Sequence, residues 1–523
     1  MKKNLLIVFI LTLIFLFYIW IITIGNEPWD QRFHSGWYNV LSDALLKGKL
    51  YFLEEFNPQI LKLKDPYEPH LNAPLNRFND MSLYKGKYYM YFGVVPAILL
   101  FIPYRLITCH ILPERAAIIF FMFGGLIWHV LILSYIKRKY FPELPNYFFL
   151  ASILVLGLGN YSTTLLRRPM MYEVAISGGF YFLSGAIFFF IKSFEHNKIN
   201  IFFLVLGSLF IGLGAGCRPE IILSGLLLLL LIIKISLSNT NKKSKIISFL
   251  CLLIPYVICS LLLGLYNYLR FENPFDPGHQ WQTNDSNPRK TIFISPIFTL
   301  VNAYIYLFQP IIFNLRPPFI HMTRNIPQEL CASNHYSEGV VGIINETPFV
   351  LILLIGPLFY LLSRFSNESF TIKRNSILIT SIIGTILFCS LLSLKTPYLL
   401  FGTYIFLLLI SLQTTILIIK TEPSTQKTLT KNQQFPSLEL FIIAIPLLLN
   451  FTVLLLHKMA TSRYVLNFST YLILFNCIMW FYYSSILSKN HKTYKAFNLI
   501  ALFLIAISIL FGVAFGIEMF LNR

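Results

Sequence analysis

Charge is what this 523-residue chain has least of. Only 12% of its residues are Asp, Glu, Lys or Arg, against 56% that are hydrophobic, and its mean hydropathy is +0.66. Soluble domains carry about a quarter charged residues, so a soluble globular class is excluded and the chain reads as an integral membrane protein. Its seven cysteines show no paired spacing, which supports neither a disulfide framework nor a zinc site. There is no GxxxxGKS/T loop, no HExxH and no Gly-rich nucleotide fingerprint. Nor is there a cytoplasmic stretch long enough to bind ATP or a nucleotide sugar, so any donor substrate is expected to be lipid-borne and presented from within the bilayer. Acidic residues are scarcer than basic ones, 23 against 42, for a net charge of +19. The basic residues fall in short clusters between apolar runs, a pattern of topology and lipid headgroups rather than nucleic acid.

What the chain does have is apolar runs and aromatics, 50 Phe and 29 Tyr, suited to lipid-facing and interfacial positions. The opening "MKKNLLIVFILTLIFLFYIWIITIG" is basic and then apolar for about twenty residues, enough to span a bilayer. With "NEPWDQ" and no small-residue cleavage site after it, it reads as an uncleaved first span. Thirteen further runs follow, near 89–107, 116–136, 146–164, 173–192, 199–216, 219–236, 246–268, 347–363, 376–394, 397–419, 438–457, 464–487 and 496–518. Two long polar stretches, 25–88 and 269–346, interrupt them, and no soluble domain boundary is evident, so 1–523 is expected to form one transmembrane unit.

Sidedness follows from the excess of Lys and Arg in cytoplasmic loops. If every run crossed, "KRK" (137–139) and "NKKSK" (241–245) would face outward. The run 89–107 carries Gly93, Pro96 and Pro103. If it lies along the membrane or re-enters it, about thirteen helices cross, and twenty basic residues collect at inner ends against eight at short outer connections and the C-terminus. The expected class is therefore an all-α polytopic protein of the cell (inner) membrane. Its N-terminus is cytoplasmic, its C-terminus is extracytoplasmic, and both long loops lie outside.

That topology gathers ionisable residues on the outer rim. Acids there are Asp30, Asp80 and Glu173, with His34 in the first loop and His279 in the second, the latter in "ENPFDPGHQWQ". An ionisable group at a span end costs free energy unless paired or wet, so such groups are functional candidates; the structural alternative is that Glu173 simply pairs with Arg167 or Arg168. Arg167, Arg168, Arg218, Lys395 and Arg463 stand at outer span ends, at the level of an embedded anionic group. Arginine suits phosphate because its planar fork donates paired hydrogen bonds, although any one of these side chains could instead reach ordinary lipid phosphates. The tyrosine-rich "DMSLYKGKYYMYFGVVPA" fits an interfacial segment.

A first span followed by a large outer loop, then a membrane-resting helix and about thirteen spans, resembles the GT-C superfamily of multi-pass glycosyltransferases. "CRPE", "SRYVLNFSTYLIL", "MYEVAISGGFYF" and "DMSLYKGKYYMYFGVVPA" are similar to segments of a poorly characterised bacterial branch of it. The resemblance implies transfer of a sugar from a polyprenyl-phosphate donor to a glycan, lipid or protein acceptor, with inversion. It implies a general base at or near an acid just past span one, for which Asp30 is the nearest match, and an assisting acid matching Glu173. In the family that acid stands about four residues before a tyrosine. Here His34 holds that place before Tyr38 and Asp30 lies eight before it, so His34 is the alternative base. The five cations would hold the donor phosphate, and Asp80 and His279 would face the acceptor. No metal ligand set is evident, and a divalent cation between the acids is neither required nor excluded. The competing class is a lipid or small-molecule transporter or flippase, which would place charge near mid-membrane; a scaffold subunit would leave the acids without a role.

Overall fold

A computed structural model describes residues 2–24, 36–195, 199–315, 319–330, 332, 334–365 and 435–521. Among these, nine helices are long and apolar enough to cross a membrane: Asn4–Thr23, Glu114–Tyr140, Asn146–Leu166, Met171–Ser193, Pro219–Ser236, Lys242–Phe271, Ser437–Leu456, Ser462–Leu487 and His491–Glu518. Each coincides with an expected span. The expected crossings at 199–216 and 347–363 appear as shorter apolar helices, Ile201–Ala215 and Pro348–Tyr360, and those at 376–394 and 397–419 lie outside the described residues. The chain is thus a mostly helical polytopic membrane protein.

Met171–Ser193 is the central helix, with 89% of its apolar window buried, whereas Lys242–Phe271 is peripheral at 11%. Small residues make the difference. Gly178, Ser184 and Gly185 let Met171–Ser193 pack closely against Glu114–Tyr140 and Ile201–Ala215, and Gly179 lets it meet Ile221 of the Pro219–Ser236 run. At one end of the bundle Lys139 pairs with Glu439 at 3.0 Å, and the Tyr140 hydroxyl donates to the same carboxylate at 2.6 Å.

The other end carries the two long polar stretches, which meet. Strand β1 (Met81–Tyr84) pairs antiparallel with β2 (Lys87–Tyr89) and, from the second stretch, with β3 (Gln282–Thr283). Arg77 with Asp285 (2.5 Å), Lys290 with Glu68 (2.6 Å) and Lys85 with Glu272 join the same two segments. Further along, β4 (Ile312–Phe313) and β5 (Ile320–His321) form a hairpin, and β6 (Tyr336–Ser337) pairs in parallel with β7 (Met459–Ala460), the turn before Ser462–Leu487. The second stretch therefore grips the turn between the two helices Ser437–Leu456 and Ser462–Leu487. Ser295 N–H donates to the Leu456 carbonyl (2.8 Å), and Lys458 N–H donates to that of Phe293 (2.7 Å).

The helix expected over 89–107 begins only at Ala97 and ends at Thr108. At 1.5 Å per residue those twelve residues reach roughly 18 Å, short of a hydrocarbon core of about 30 Å. The residues before it are held extended by hydrogen bonds from Gly93 N–H to the Cys217 carbonyl (3.3 Å) and from Val95 N–H to that of Gly216 (3.0 Å). This backbone contact needs a glycine, because a Cβ on residue 93 would lie 2.0 Å from the Gly216 oxygen. Gly93→Ala is expected to lower apparent stability by about 1–3 kcal/mol, as overpacking does, read as a lower melting temperature of the purified protein. An unchanged melt would show that 93–95 and 216–217 are not pressed together.

Candidate functional site

Three helices begin at the loop end of the bundle within one small region. Glu173 lies in the first turn of Met171–Ser193, Arg463 in the first turn of Ser462–Leu487, and Arg218 immediately precedes the helical run Pro219–Ser236. Helix N-termini carry partial positive charge. Glu173 is favourable there, whereas the two arginines add to the positive potential and require anions.

Arg463 is the centre of the cluster. Its Nη1 lies 3.7 Å from Glu173 Oε1 and its Nη2 donates to Glu338 Oε1 at 3.3 Å. Its guanidinium stands over the Tyr172 ring at 4.7 Å and faces the Tyr464 ring at 5.8 Å. Nε and Nη1 are buried without a hydrogen-bond acceptor among the described residues. Arg218 pairs with Glu220 and lies 5.1 Å from the centroid of the same Tyr464 ring. Two guanidinium groups thus share one aromatic ring. Glu173 is buried, and its Oε2 accepts from Met170 N–H at 3.2 Å, capping its own helix.

Asp80 joins from the first loop. It adopts left-handed backbone (φ 60°) just before β1, donates its N–H to the Thr283 carbonyl at 2.9 Å, and its Oδ2 accepts from the Tyr172 hydroxyl. Burial raises the Asp80 carboxyl above its ordinary range, against the opposing hydrogen bond from Tyr172. From the second stretch, His279 packs edge-on against Phe293 (4.2 Å) and Tyr91 (5.5 Å). Burial, followed by the nearby His457, pushes it down to about 4; burial likewise lowers His335 to about 4 and lowers His457. These imidazoles are neutral at pH 7 and add no charge to the cluster.

An apolar cleft opens beside it. A cavity of about 720 Å³ is lined by Tyr91, Pro219, Ile222, Leu261, Gly264 and Phe275, among others, between Pro219–Ser236 and the peripheral Lys242–Phe271. That volume lies within the range of small-molecule sites. Tyr91, at its polar edge, touches His279 and feels the charges of Arg218 and Glu220.

The sequence-derived candidates distribute as follows. Glu173, Arg218, Arg463, Asp80 and His279 come together. Arg168 lies beside them, its Nε 3.3 Å from Met170 Sδ and its charge acting on Glu173. Arg167 turns away: it pairs with Glu518 at 3.1 Å and donates to the Phe515 carbonyl at 2.9 Å, while Glu518 also accepts from Met322 N–H at 3.0 Å. That arginine fastens the last helix to the second loop. Asp30, His34 and Lys395 lie outside the described residues.

Tyr172, Glu220, Glu338, Tyr464 and His457 complete the cluster and were not singled out from sequence. Tyr172 could have been, as the neighbour of Glu173 in "MMYE"; for Glu338, in a polar loop far from any span, no sequence signal existed. Among the described residues, no group of three or more His, Cys, Asp or Glu side chains is placed to hold a metal ion.

Removing one partner of a buried ion pair leaves a charge uncompensated, at a cost of about 3–5 kcal/mol. Arg463→Met is expected to destabilise the purified protein by that order, and Glu173→Gln combined with it to recover part of the loss in a thermal-melt cycle. Additive effects would mean that the two side chains do not interact.

No protein-family model matches the sequence, and no curated protein matches it. In three dimensions the chain is distantly similar to solved structures. It superposes on the oligosaccharyltransferase of Archaeoglobus fulgidus in the apo form at 11% identity and a TM-score of 0.41, covering 97% of this chain and 56% of that one. It also superposes on AglB of that organism in complex with an inhibitory peptide and a dolichol-phosphate, at 11% identity and a TM-score of 0.42, covering 98% and 56%. The chain therefore spans little more than half the length of these proteins.

Proposed function

We propose that this chain is a membrane glycosyltransferase that moves a sugar from a polyprenyl-phosphate donor to a glycan, lipid or protein acceptor, with inversion, at the outer face of the cell membrane. The observation that carries this reading is the state of Arg463. It is a guanidinium only 11% exposed, with two donors left over, sharing the Tyr464 ring with Arg218, whose neighbour Pro219 lines an apolar cleft. Helix N-termini and arginine forks both favour phosphate. The cleft suits an isoprenoid tail, and the loops above it offer polar groups to an acceptor.

The chemistry follows from where charge develops. A sugar phosphodiester bears one negative charge and the departing lipid phosphate bears more. Cations fixed before the reaction therefore stabilise the transition state more than the ground state. Arg463 and Arg218 are so fixed, each over an aromatic ring and each with a carboxylate beside it that the phosphate would replace or share. Positive-inside topology puts this end outside, and the joined loops limit water that would compete with the acceptor. A transporter reading calls for charge near mid-membrane, whereas the arginines, Glu173 and Glu220 of this cluster sit at span ends and Asp80 and Glu338 in the loops.

The base that the family resemblance assigns to Asp30 or His34 falls in the undescribed segment. Glu173 is already occupied by Arg463 and by its own helix cap, so its role here is to hold the arginine.

Full-length protein in lipid nanodiscs is expected to bind polyprenyl monophosphate. Arg218→Gln should weaken that binding at least tenfold, about 1.4 kcal/mol, and Arg463→Lys, which keeps charge but loses the fork, should weaken it less. Equal affinity in all three would remove phosphate from this site. Mass spectrometry of surface glycans and lipid-linked sugars after gene deletion should show a missing product with its donor accumulating. Loss of substrate uptake without a missing bond would support the transporter instead.

A further inference from the structure

We propose that Asp80 is the proton acceptor of the transfer, with Tyr172 holding it in place. The assignment rests on the glycosyltransferase reading above and adds the residue that reading lacks.

The acids around the cluster differ in what they are already bonded to. Glu173 faces Arg463 and accepts from Met170 N–H. Glu338 lies on Arg463 and Glu220 on Arg218. Asp276 spends both oxygens on Gly278 N–H (2.7 Å), Gln280 (2.6 Å) and Trp281 Nε1 (2.8 Å). Glu114 is buried beneath the first loop, accepting from Tyr38 N–H at 3.0 Å. Asp80 is different. It forms no ion pair within 4 Å among the described residues, and its bonded oxygen is Oδ2, which takes the Tyr172 hydroxyl and, at 3.3 Å, Asn79 Nδ2. Oδ1 has no hydrogen-bond donor among the described residues. A carboxylate locked to a cation is a poor base, whereas one that is desolvated, oriented and unpaired is a good one.

Its position is equally specific. Tyr172 spans the gap between Asp80 and Arg463, its hydroxyl on the carboxylate and its ring under the guanidinium. The proton acceptor therefore stands at the hydroxyl end of the ring and the phosphate-binding cation over its face, with the base held by the first loop, where an acceptor enters. The left-handed backbone of Asp80 and its N–H bond to Thr283 tie it to both loops through the β1–β3 pair.

The step balances as follows. The acceptor hydroxyl oxygen bonds to the anomeric carbon and its proton passes to Asp80 Oδ1. The bond from that carbon to the phosphate oxygen breaks, and its electron pair leaves on the lipid phosphate beside Arg463 and Arg218. Proton loss to water then restores Asp80.

The test uses full-length protein in nanodiscs. Transfer is read as release of free polyprenyl phosphate from the lipid-linked-sugar fraction of the source membranes, and polyprenyl phosphate binding is measured in parallel. Asp80→Asn keeps a residue type that tolerates left-handed backbone. It is expected to lower turnover by about 10²–10⁴-fold, the usual worth of a general base, with polyprenyl phosphate affinity within about twofold of the parent. Near-parental turnover would overturn the assignment. Tyr172→Phe supplies an independent readout. Asp80 faces Tyr172, Arg463, Arg77 and Asp285. Loss of the tyrosine hydroxyl removes a bond that favours the carboxylate, so the acid limb of the pH–rate profile should move to higher pH. An unmoved limb would also overturn the assignment. If the parent protein neither releases nor binds polyprenyl phosphate, the glycosyltransferase reading itself fails and the role of Asp80 with it.

Discussion

Every other feature of the loop end depends on Arg463 being held where a cation should not be. It is mostly enclosed, its side chain 11% exposed, in the first turn of a helix whose dipole repels it. Three kinds of contact offset that cost: the Glu173 carboxylate, the Glu338 carboxylate and the face of Tyr172. They come from two parts of the chain, the first turn of the central helix and the second loop. Holding one guanidinium therefore docks the central helix, the Ser462–Leu487 helix and the second loop to each other. A neutral residue would remove the repulsion and, with it, the reason for those parts to meet.

The loops add a second layer of the same logic. The β1–β3 pair is a short ladder, and the Arg77–Asp285 and Lys290–Glu68 ion pairs each keep one partner exposed, so each is worth little alone. Their value is positional. They bring the first loop to the second, and the second is fixed to the Met459–Ala460 turn two residues before Ser462. Asp80 and Arg463, far apart in sequence, thereby become neighbours of one tyrosine.

The spans were legible because a bilayer core offers no partner to unpaired backbone or charge, so apolar length alone nearly fixes them. Glu173, Arg218 and Arg463 were legible for a related reason: sidedness puts their span ends at one face. The boundary at 89–107 was not, because hydropathy does not register the 93–95 contact with 216–217 that delays the helix to Ala97. Pairing was also hidden. Arg167 and Arg168 are adjacent in sequence, yet Arg167 turns to Glu518 while Arg168 stays beside Glu173. Helical phase at a short connection decides such a choice, and composition does not encode it. Asp30, His34 and Lys395 fall in segments the structure does not describe.

The contrast between the two arginine clusters explains why only one looks like a site. Arg167 is engaged by a carboxylate, a backbone carbonyl and a thioether. Its effect is to hold the last helix to the loop. Arg463 has comparable burial but keeps two donors without acceptors, in a setting where an unmet donor costs about 1–3 kcal/mol. Folding alone would favour filling that gap with another acid or carbonyl, as happens at Arg167. On the proposed reading, an anion from outside the chain fills that gap. On the same reading, the cleft lined by Pro219, the residue after Arg218, would take a hydrocarbon tail carried by that anion.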